Sequence, residues 1–237
     1  MHTENEMIPL IQDRLFDDRD LRPEITRNKD LVKSVSTETS QVLRWIHELY
    51  LPHGIDLDCT YRVGSIYSGT ELRPRIKSDI NPRGRDTLSA DFMRLPFKDN
   101  SMRSVMFDPP FFASSGGGRG TLGNKYGFYM TINDLWSAYR IGLAEIYRVL
   151  KLYGVLVMKC QDFVYGRRQY IIHADIINYA QNINLSVRDI FIRVSDHVSI
   201  SPNQVNQIHA RKFHCYYIVF KKLREIQNIL PTEPLKS

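Results

Sequence analysis

TINDLWSAYRIGLAEIYRVLKLYGVLVMKC, residues 131–160, carries the fold in its pattern. Thr131 and Asp134 make a capping-box start, and Leu135, Tyr139, Leu143, Ile146 and Leu150 recur at helical spacing. Residues 154–160, GVLVMKC, form a nearly continuous apolar run, as a buried parallel strand requires. The alternation continues outward in both directions. On the N-terminal side, residues 104–107, 75–80 and 55–60 read as strands. Before them, Ser36 or Thr37 is placed to cap a helix to about Tyr50 with Val42, Leu43, Ile46 and Leu49 as its apolar stripe, stopped by Pro52-His53-Gly54. On the C-terminal side, residues 171–183 read as a helix, and 187–194 and 213–221 as two late strands. The linker between those strands, about eighteen residues, exceeds what a hairpin needs. Strands alternating with helices predict an α/β protein with a doubly wound sheet.

Composition sets outer limits. The chain has 237 residues, 43% hydrophobic and 24% charged, the mix of a folded protein of one domain or little more. Thirty-two Lys and Arg against 26 Asp and Glu leave +6, a weak tilt toward a polyanionic partner. No apolar run approaches the roughly eighteen residues of a membrane span. The first residues, with Glu4, Glu6, Asp13, Asp17 and Asp18, hold no apolar signal core. Cys59, Cys160 and Cys215 are odd in number and lack metal-type spacing, so no disulfide framework, no metal and a cytoplasmic setting are expected. The expected division is an N-terminal arm and helical cap over residues 1–50, a catalytic domain over 51–222 and a tail over 223–237.

Chemistry gathers where predicted strands end. After the strand at 104–107 comes Asp108-Pro109-Pro110-Phe111. The prolines fix φ and carry no N–H, which leaves main-chain carbonyls free to face a cleft. Asp108 and the Pro109 carbonyl can accept both hydrogens of a planar exocyclic amine, and Phe111 offers a face to a flat heterocycle. A strand-ending turn that happens to read DPPF is the plain alternative. Upstream, Asp58 ends one strand and Gly64 follows in the next turn; Asp79 lies 21 residues after Asp58, the offset of an acid that takes the hydroxyls of a ribose. Asp91 and Phe92 follow 12 residues later, a carboxylate beside an aromatic, suited to an adenine amine and ring. Singly, each acid reads as a solvated loop residue; in this order they would line one cleft. Residues 116–127, GGGRGTLGNKYG, hold six of the thirteen glycines and read as a substrate-gating loop, with a flexible linker as the alternative.

The series Asp58, Thr60, Gly64, then SDINP, ADFMRLPF and FDPPF resembles a class I S-adenosylmethionine-dependent methyltransferase of the amino-methylating kind, over roughly residues 58–222. YRVLKLYGVLVMKCQD resembles the helix–turn–strand of that superfamily, and HARKFHCYYIVFKK the last strand of small DNA methyltransferases of phages and prophages. The resemblance implies a Rossmann-like, seven-stranded, mostly parallel sheet with an antiparallel last strand. It implies S-adenosyl-L-methionine as cofactor, with Asp58, Thr60 and Gly64 at its methionine end, Asp79 at the ribose and Asp91 and Phe92 at the adenine. Asp108, Pro109, Pro110 and Phe111 would take the target amine. One position departs: Arg62 stands where such enzymes usually have Gly, and the expectation is that its side chain points outward and the pocket survives.

DPPF rather than a Ser-Pro-Pro form resembles adenine-N6 enzymes more than cytosine-N4 enzymes. The acceptor read from this is adenine N6 in DNA, ahead of an RNA base, cytosine N4 or a protein glutamine amide. A methyltransferase-fold protein that only binds nucleic acid is the alternative of another class. A base in a duplex must be flipped out to be reached. Arg119, Lys125 and Tyr126 in the Gly-rich segment, and His209, Arg211 and Lys212 before the last strand, are the candidates for nucleic-acid contact. Arg167-Arg168 reads as a solvated pair at the start of a helix. No room is left for a large target-recognition domain, so short or relaxed specificity is expected, and the oligomeric state is open.

Overall fold

The computed structural model describes residues 31–111, 113, 129–195 and 208–223. The polar stretch 1 to about 30 and the Gly-rich segment with Arg119, Lys125 and Tyr126 lie outside these. The chain divides into two compact units, Met1–Val32 and Lys33–Ser237, and the second carries the secondary structure that follows.

Its strands are β1 (Val35–Ser36), β2 (Leu57–Asp58), β3 (Ile76–Asp79), β4 (Leu88–Ser89), β5 (Met102–Phe107), β6 (Leu150–Cys160), β7 (Phe163–Tyr165), β8 (Arg168–Tyr170), β9 (Leu185–Val194) and β10 (His214–Lys222). Among the described residues its α-helices are α1 (Thr39–Tyr50), α2 (Ile132–Val149) and α3 (Ile172–Asn182), with a 3-10 turn at Ser65–Tyr67. The large sheet runs β1-β9-β10-β6-β5-β2-β3-β4. All pairings are parallel except those of β10, which runs antiparallel to both β6 and β9. From β4 inward this is the doubly wound order 3-2-1-4-5-6 with one reversed strand inserted before the sixth, the class I methyltransferase arrangement. Where the resemblance implies seven strands there are eight. The extra one, β1, pairs Val35 with Ile192 at the sheet edge; two residues are too few to leave an alternation in the sequence.

Residue by residue, the strands serve two cores. Val105, Phe107, Leu156, Met158, Ile218 and Phe220 face α2 and α3 and are fully buried or nearly so. Their neighbours Met106, Val157, Tyr217, Val219 and Phe191 are as deeply buried and face the other way, where Tyr50 of α1 meets Phe191 edge-on at 6.4 Å. Helix α2 opens on the predicted capping box, with Thr131 and Asp134 exchanging side-chain and backbone bonds. Helix α1 departs from expectation: its N-cap is Glu38 without a side-chain cap bond, and Ser36 Oγ accepts the Glu38 N–H instead. Gly142 lets α2 approach Phe92, since a Cβ there would stand 2.7 Å from that ring. Arg167 and Arg168 do not start a helix: they belong to the turn and second strand of the β7–β8 hairpin. Among the described residues no helix is long and apolar enough to cross a membrane, and all three cysteines are buried thiols.

At the N-terminal end of β2, the buried Asp56 carboxylate accepts from Arg103 Nε (3.1 Å), the second Arg103 nitrogen (2.7 Å) and the Arg103 backbone (2.8 Å), with Arg75 at 3.5 Å. Burial opposes the charge, yet the Arg103 bonds prevail and hold the carboxyl below its ordinary range. This acid is structural: it ties the start of β2 to β5 and is neutralised where it sits.

Candidate active site

Asp58, two residues further along, is treated differently. It ends β2 at the C-terminal edge of the sheet, where open α/β sheets bind their ligands. The residue is 1% exposed. Its Oδ1 accepts from the Thr60 N–H (2.9 Å) and Thr60 hydroxyl (3.4 Å), and its Oδ2 from the Tyr67 hydroxyl (2.7 Å). No cation pairs with it among the described residues. Burial, with a smaller contribution from the Asp108 charge, pushes its pKa up to about 7. A carboxylate sequestered without a counterion suits a cationic ligand that brings the missing charge.

The turn after β2 wires three acids together. Thr60 Oγ1 accepts the backbone N–H of Asp108 at 2.8 Å, so the Asp58 loop and the DPPF turn share one hydroxyl. Arg62 donates its N–H to Asp79 Oδ2 at 2.9 Å, while Asn81 N–H takes Oδ1 at 2.8 Å. Asp91 follows β4; Ala90 N–H reaches the Asp79 carbonyl at 3.0 Å, and Asp91 Oδ1 accepts from Met93 N–H at 2.9 Å. Asp58, Asp79, Asp91 and Asp108 therefore stand on consecutive C-terminal strand ends, linked through the backbone. Phe92 is half-buried and packs against the core, edge-to-face with Phe107 at 5.0 Å.

Arg62 adopts φ +46°, and Gly64 φ +65°. At Gly64 the left-handed φ favours glycine, and a Cβ there would lie 2.5 Å from the end of the Tyr61 ring, which would have to shift. Arg62 carries the left-handed conformation at a cost of about 1–2 kcal/mol, and in exchange its N–H fixes Asp79. Arg62→Gly is expected to keep that bond and remove the strain, partly offset by greater freedom of the unfolded chain. A net gain of about 1 kcal/mol would raise the thermal midpoint by about 2–4 °C; an unchanged or lower midpoint in differential scanning calorimetry would contradict the strain.

The DPPF turn is held from three sides. Besides the Thr60 contact, the Tyr139 hydroxyl of α2 donates to the Pro110 carbonyl at 3.0 Å, and Lys159 Nζ of β6 pairs with Asp108 Oδ2 at 3.0 Å. Lys159 is about four-fifths buried, its side chain 19% exposed. It also lies 5.7 Å from the centre of the Phe111 ring and 6.0 Å from that of Tyr217. Burial works against its charge, but the Asp108 carboxylate more than offsets this and holds the ammonium above the ordinary lysine range. Asp108 Oδ1 accepts no hydrogen bond from the described residues.

Sequence reasoning missed Lys159, Tyr139 and Tyr67. Lys159 had a signal: it is the single charged side chain inside the apolar run 154–160, and a lysine in a buried strand calls for a partner. Tyr139 read only as part of a helix stripe. Of the nucleic-acid candidates, His209 Nε2 bonds to the Arg167 carbonyl at 2.8 Å, and Arg211 and Lys212 lie just before β10, whose start adjoins the C-terminal end of β6. Among the described residues no group of His, Cys, Asp and Glu is arranged to hold a metal ion.

No protein-family model matches the chain, nor does any curated protein. Among solved structures it is similar to a candidate DNA modification methylase from Thermus thermophilus, complexed with S-adenosyl-L-methionine. The two are 20% identical over 60% of this chain and 57% of that one, with a TM-score of 0.40. The chain thus spans a little over half the length of that protein. It is also similar to the N-methyltransferase NodS of Bradyrhizobium japonicum (11% identity, 78% of this chain and 94% of that one, TM-score 0.45). The 1,6-didemethyltoxoflavin-N1-methyltransferase of Burkholderia thailandensis is another (12% identity, 76% and 75%, TM-score 0.45).

Proposed function

We propose that this protein is an S-adenosylmethionine-dependent methyltransferase that methylates an exocyclic amino nitrogen of a nucleobase, adenine N6 in DNA. Residues 51–222 form its catalytic domain, 1–50 an arm and helical cap, and 223–237 a tail. The observation that carries the reading is the Asp58–Thr60–Asp108 chain: the Thr60 hydroxyl donates to the carboxylate of a buried acid without a counterion among the described residues and accepts the backbone N–H of Asp108 at the ligand edge of the sheet.

Bound S-adenosylmethionine supplies an activated methyl group and the positive charge that Asp58 lacks. Asp58, Thr60 and Gly64 hold its methionine end, Asp79 its ribose, and Asp91 with Phe92 its adenine. On the acceptor side, Asp108 Oδ1 and the Pro109 carbonyl take the two amine hydrogens. That draws the nitrogen lone pair out of conjugation and aims it, while Phe111 supports the ring. Positioning and fixed electrostatics account for most of the acceleration. Arg119, Lys125, Tyr126, His209, Arg211 and Lys212 contribute contacts to the nucleic acid.

Asp58 provides a pH test. Its folded pKa of about 7 lies above the ordinary 3.8, so in the free protein it binds a proton that a cationic ligand must displace. Affinity should rise with pH, about fivefold from pH 6 to 7, as the ionised fraction grows, with proton release seen in buffers of different ionisation enthalpy. Titration calorimetry with S-adenosylmethionine checks this, and mass spectrometry of DNA from a methylation-free host expressing the protein checks the product. Micromolar binding and N6-methyladenine are expected; absence of binding heat with retained DNA binding would leave only a nucleic-acid-binding module.

A further inference from the structure

We infer that the β7–β8 hairpin and residues 208–214 form one rigid basic ridge that grips the phosphate backbone of duplex DNA beside the active site. This deepens the proposed function and rests on its nucleic-acid substrate. The hairpin leaves β6 two residues beyond Cys160, at the same sheet edge as Asp108. Its turn, Gly166 and Arg167, has φ +56° and +64°. Positive φ at both central positions is the two-residue hairpin geometry in which the second residue is usually glycine. An arginine is kept there against the steric preference, which places its guanidinium at the tip.

Cross-bonds make the ridge rigid. His209 Nε2 donates to the Arg167 carbonyl at 2.8 Å across 42 residues of sequence. The Gln161 amide donates to the His214 carbonyl at 2.9 Å and the Lys212 carbonyl at 3.3 Å. The Gln169 amide donates to the carbonyls of Phe163 and Tyr170, whose rings stack at 6.0 Å. Residues 163–171 and 208–214 contain Arg167, Arg168, Arg211 and Lys212 and no acid. The nearby Asp162 is buried and faces His173 Nδ1 at 2.8 Å. Arg167, Arg168 and Lys212 form no ion pair with any described residue. Basic residues carried on a cross-bonded backbone suit phosphate contact, and a preorganised backbone spends little entropy on ordering.

The test is the salt dependence of binding to a 20-base-pair duplex, read by fluorescence anisotropy. Arg167→Asn, a residue that tolerates the left-handed conformation, is combined with Arg168→Gln. The slope of log affinity against log salt should become shallower by about two, near 0.9 per lost phosphate contact. Affinity should fall by about 10–100-fold, with S-adenosylmethionine binding unchanged and the thermal midpoint not lowered, since Asn accepts the left-handed φ that Arg167 holds. Lys151→Gln, at the opposite end of β6, should leave the slope alone. A wild-type slope kept by the double variant would overturn the ridge and leave the methyltransferase reading intact. Failure of the wild type to bind duplex DNA would overturn the DNA reading and the ridge together.

Discussion

Asp108→Ala is expected to reduce methyl transfer by about 10²–10³-fold, while affinity for S-adenosylmethionine stays within a few-fold. The large loss follows from the proposed role: Oδ1, which accepts no hydrogen bond from the described residues, takes an amine hydrogen, and a preorganised partner of this kind typically contributes about 10²–10³ in rate. The small effect on the cofactor follows from the contact with its pocket, which runs through the Asp108 backbone N–H to Thr60 and survives truncation of the side chain. Loss of the Asp108 charge should also ease ionisation of Asp58, since that charge is one of the causes, after burial, that raises it. Cofactor binding near pH 6 should therefore tighten slightly. Asp108→Asn separates chemistry from packing: its single amide oxygen can serve Lys159 or the amine but not both, so turnover should fall less than in the alanine variant. Single-turnover assays beside calorimetry read both quantities. Activity retained by Asp108→Ala would remove the DPPF turn from the mechanism.

What the sequence could disclose follows from how far each feature is local. The β6 run and the α2 stripe are set by period and burial along one segment, and both elements are found, although the helix ends at Val149 and Leu150, read as its last stripe position, opens the strand four residues before Gly154. The acids at positions 58, 79, 91 and 108 fall where strands end, and strand ends can be placed by their apolar cores. Features decided by pairing across the sheet were illegible. The two-residue strands β1 and β4 have no room for a pattern. The β7–β8 hairpin is hidden because its turn is Gly-Arg, without the Asn-Gly or Asp-Gly that usually signals such a turn, so Arg167-Arg168 read as a solvated pair. The bond between Thr60 and Asp108 spans 48 residues, and nothing in either motif announces it. Arg62 shows the converse: the resemblance marked the position as one where glycine is usual, and only the fold revealed that Arg62 holds a left-handed φ and that its N–H secures Asp79.

Lys159 yields the second large effect. It pairs with Asp108, lies against the Phe111 ring and stands opposite Tyr217 in the β10 register, so one ammonium orients two members of the DPPF turn. Lys159→Met keeps the length and apolar stem but leaves Asp108 partly buried without its cation. Truncating one partner of a fully buried pair costs about 3–5 kcal/mol; with about a fifth of each side chain exposed, a loss of about 1–3 kcal/mol is expected. Turnover should fall by about 10²-fold, because Asp108 can rotate and its second oxygen competes for the amine hydrogens in unproductive geometry. Lys159→Arg retains the charge and should recover most of the stability. Its planar fork cannot reproduce a single-point contact below the Phe111 ring, so turnover should recover only in part. A purely structural lysine would behave otherwise: stability and turnover would be lost and regained together, and the Michaelis constant for the methyl acceptor would not move. Equal recovery of both in Lys159→Arg would reduce Lys159 to a packing role, and full turnover in Lys159→Met would dissociate it from Asp108 altogether.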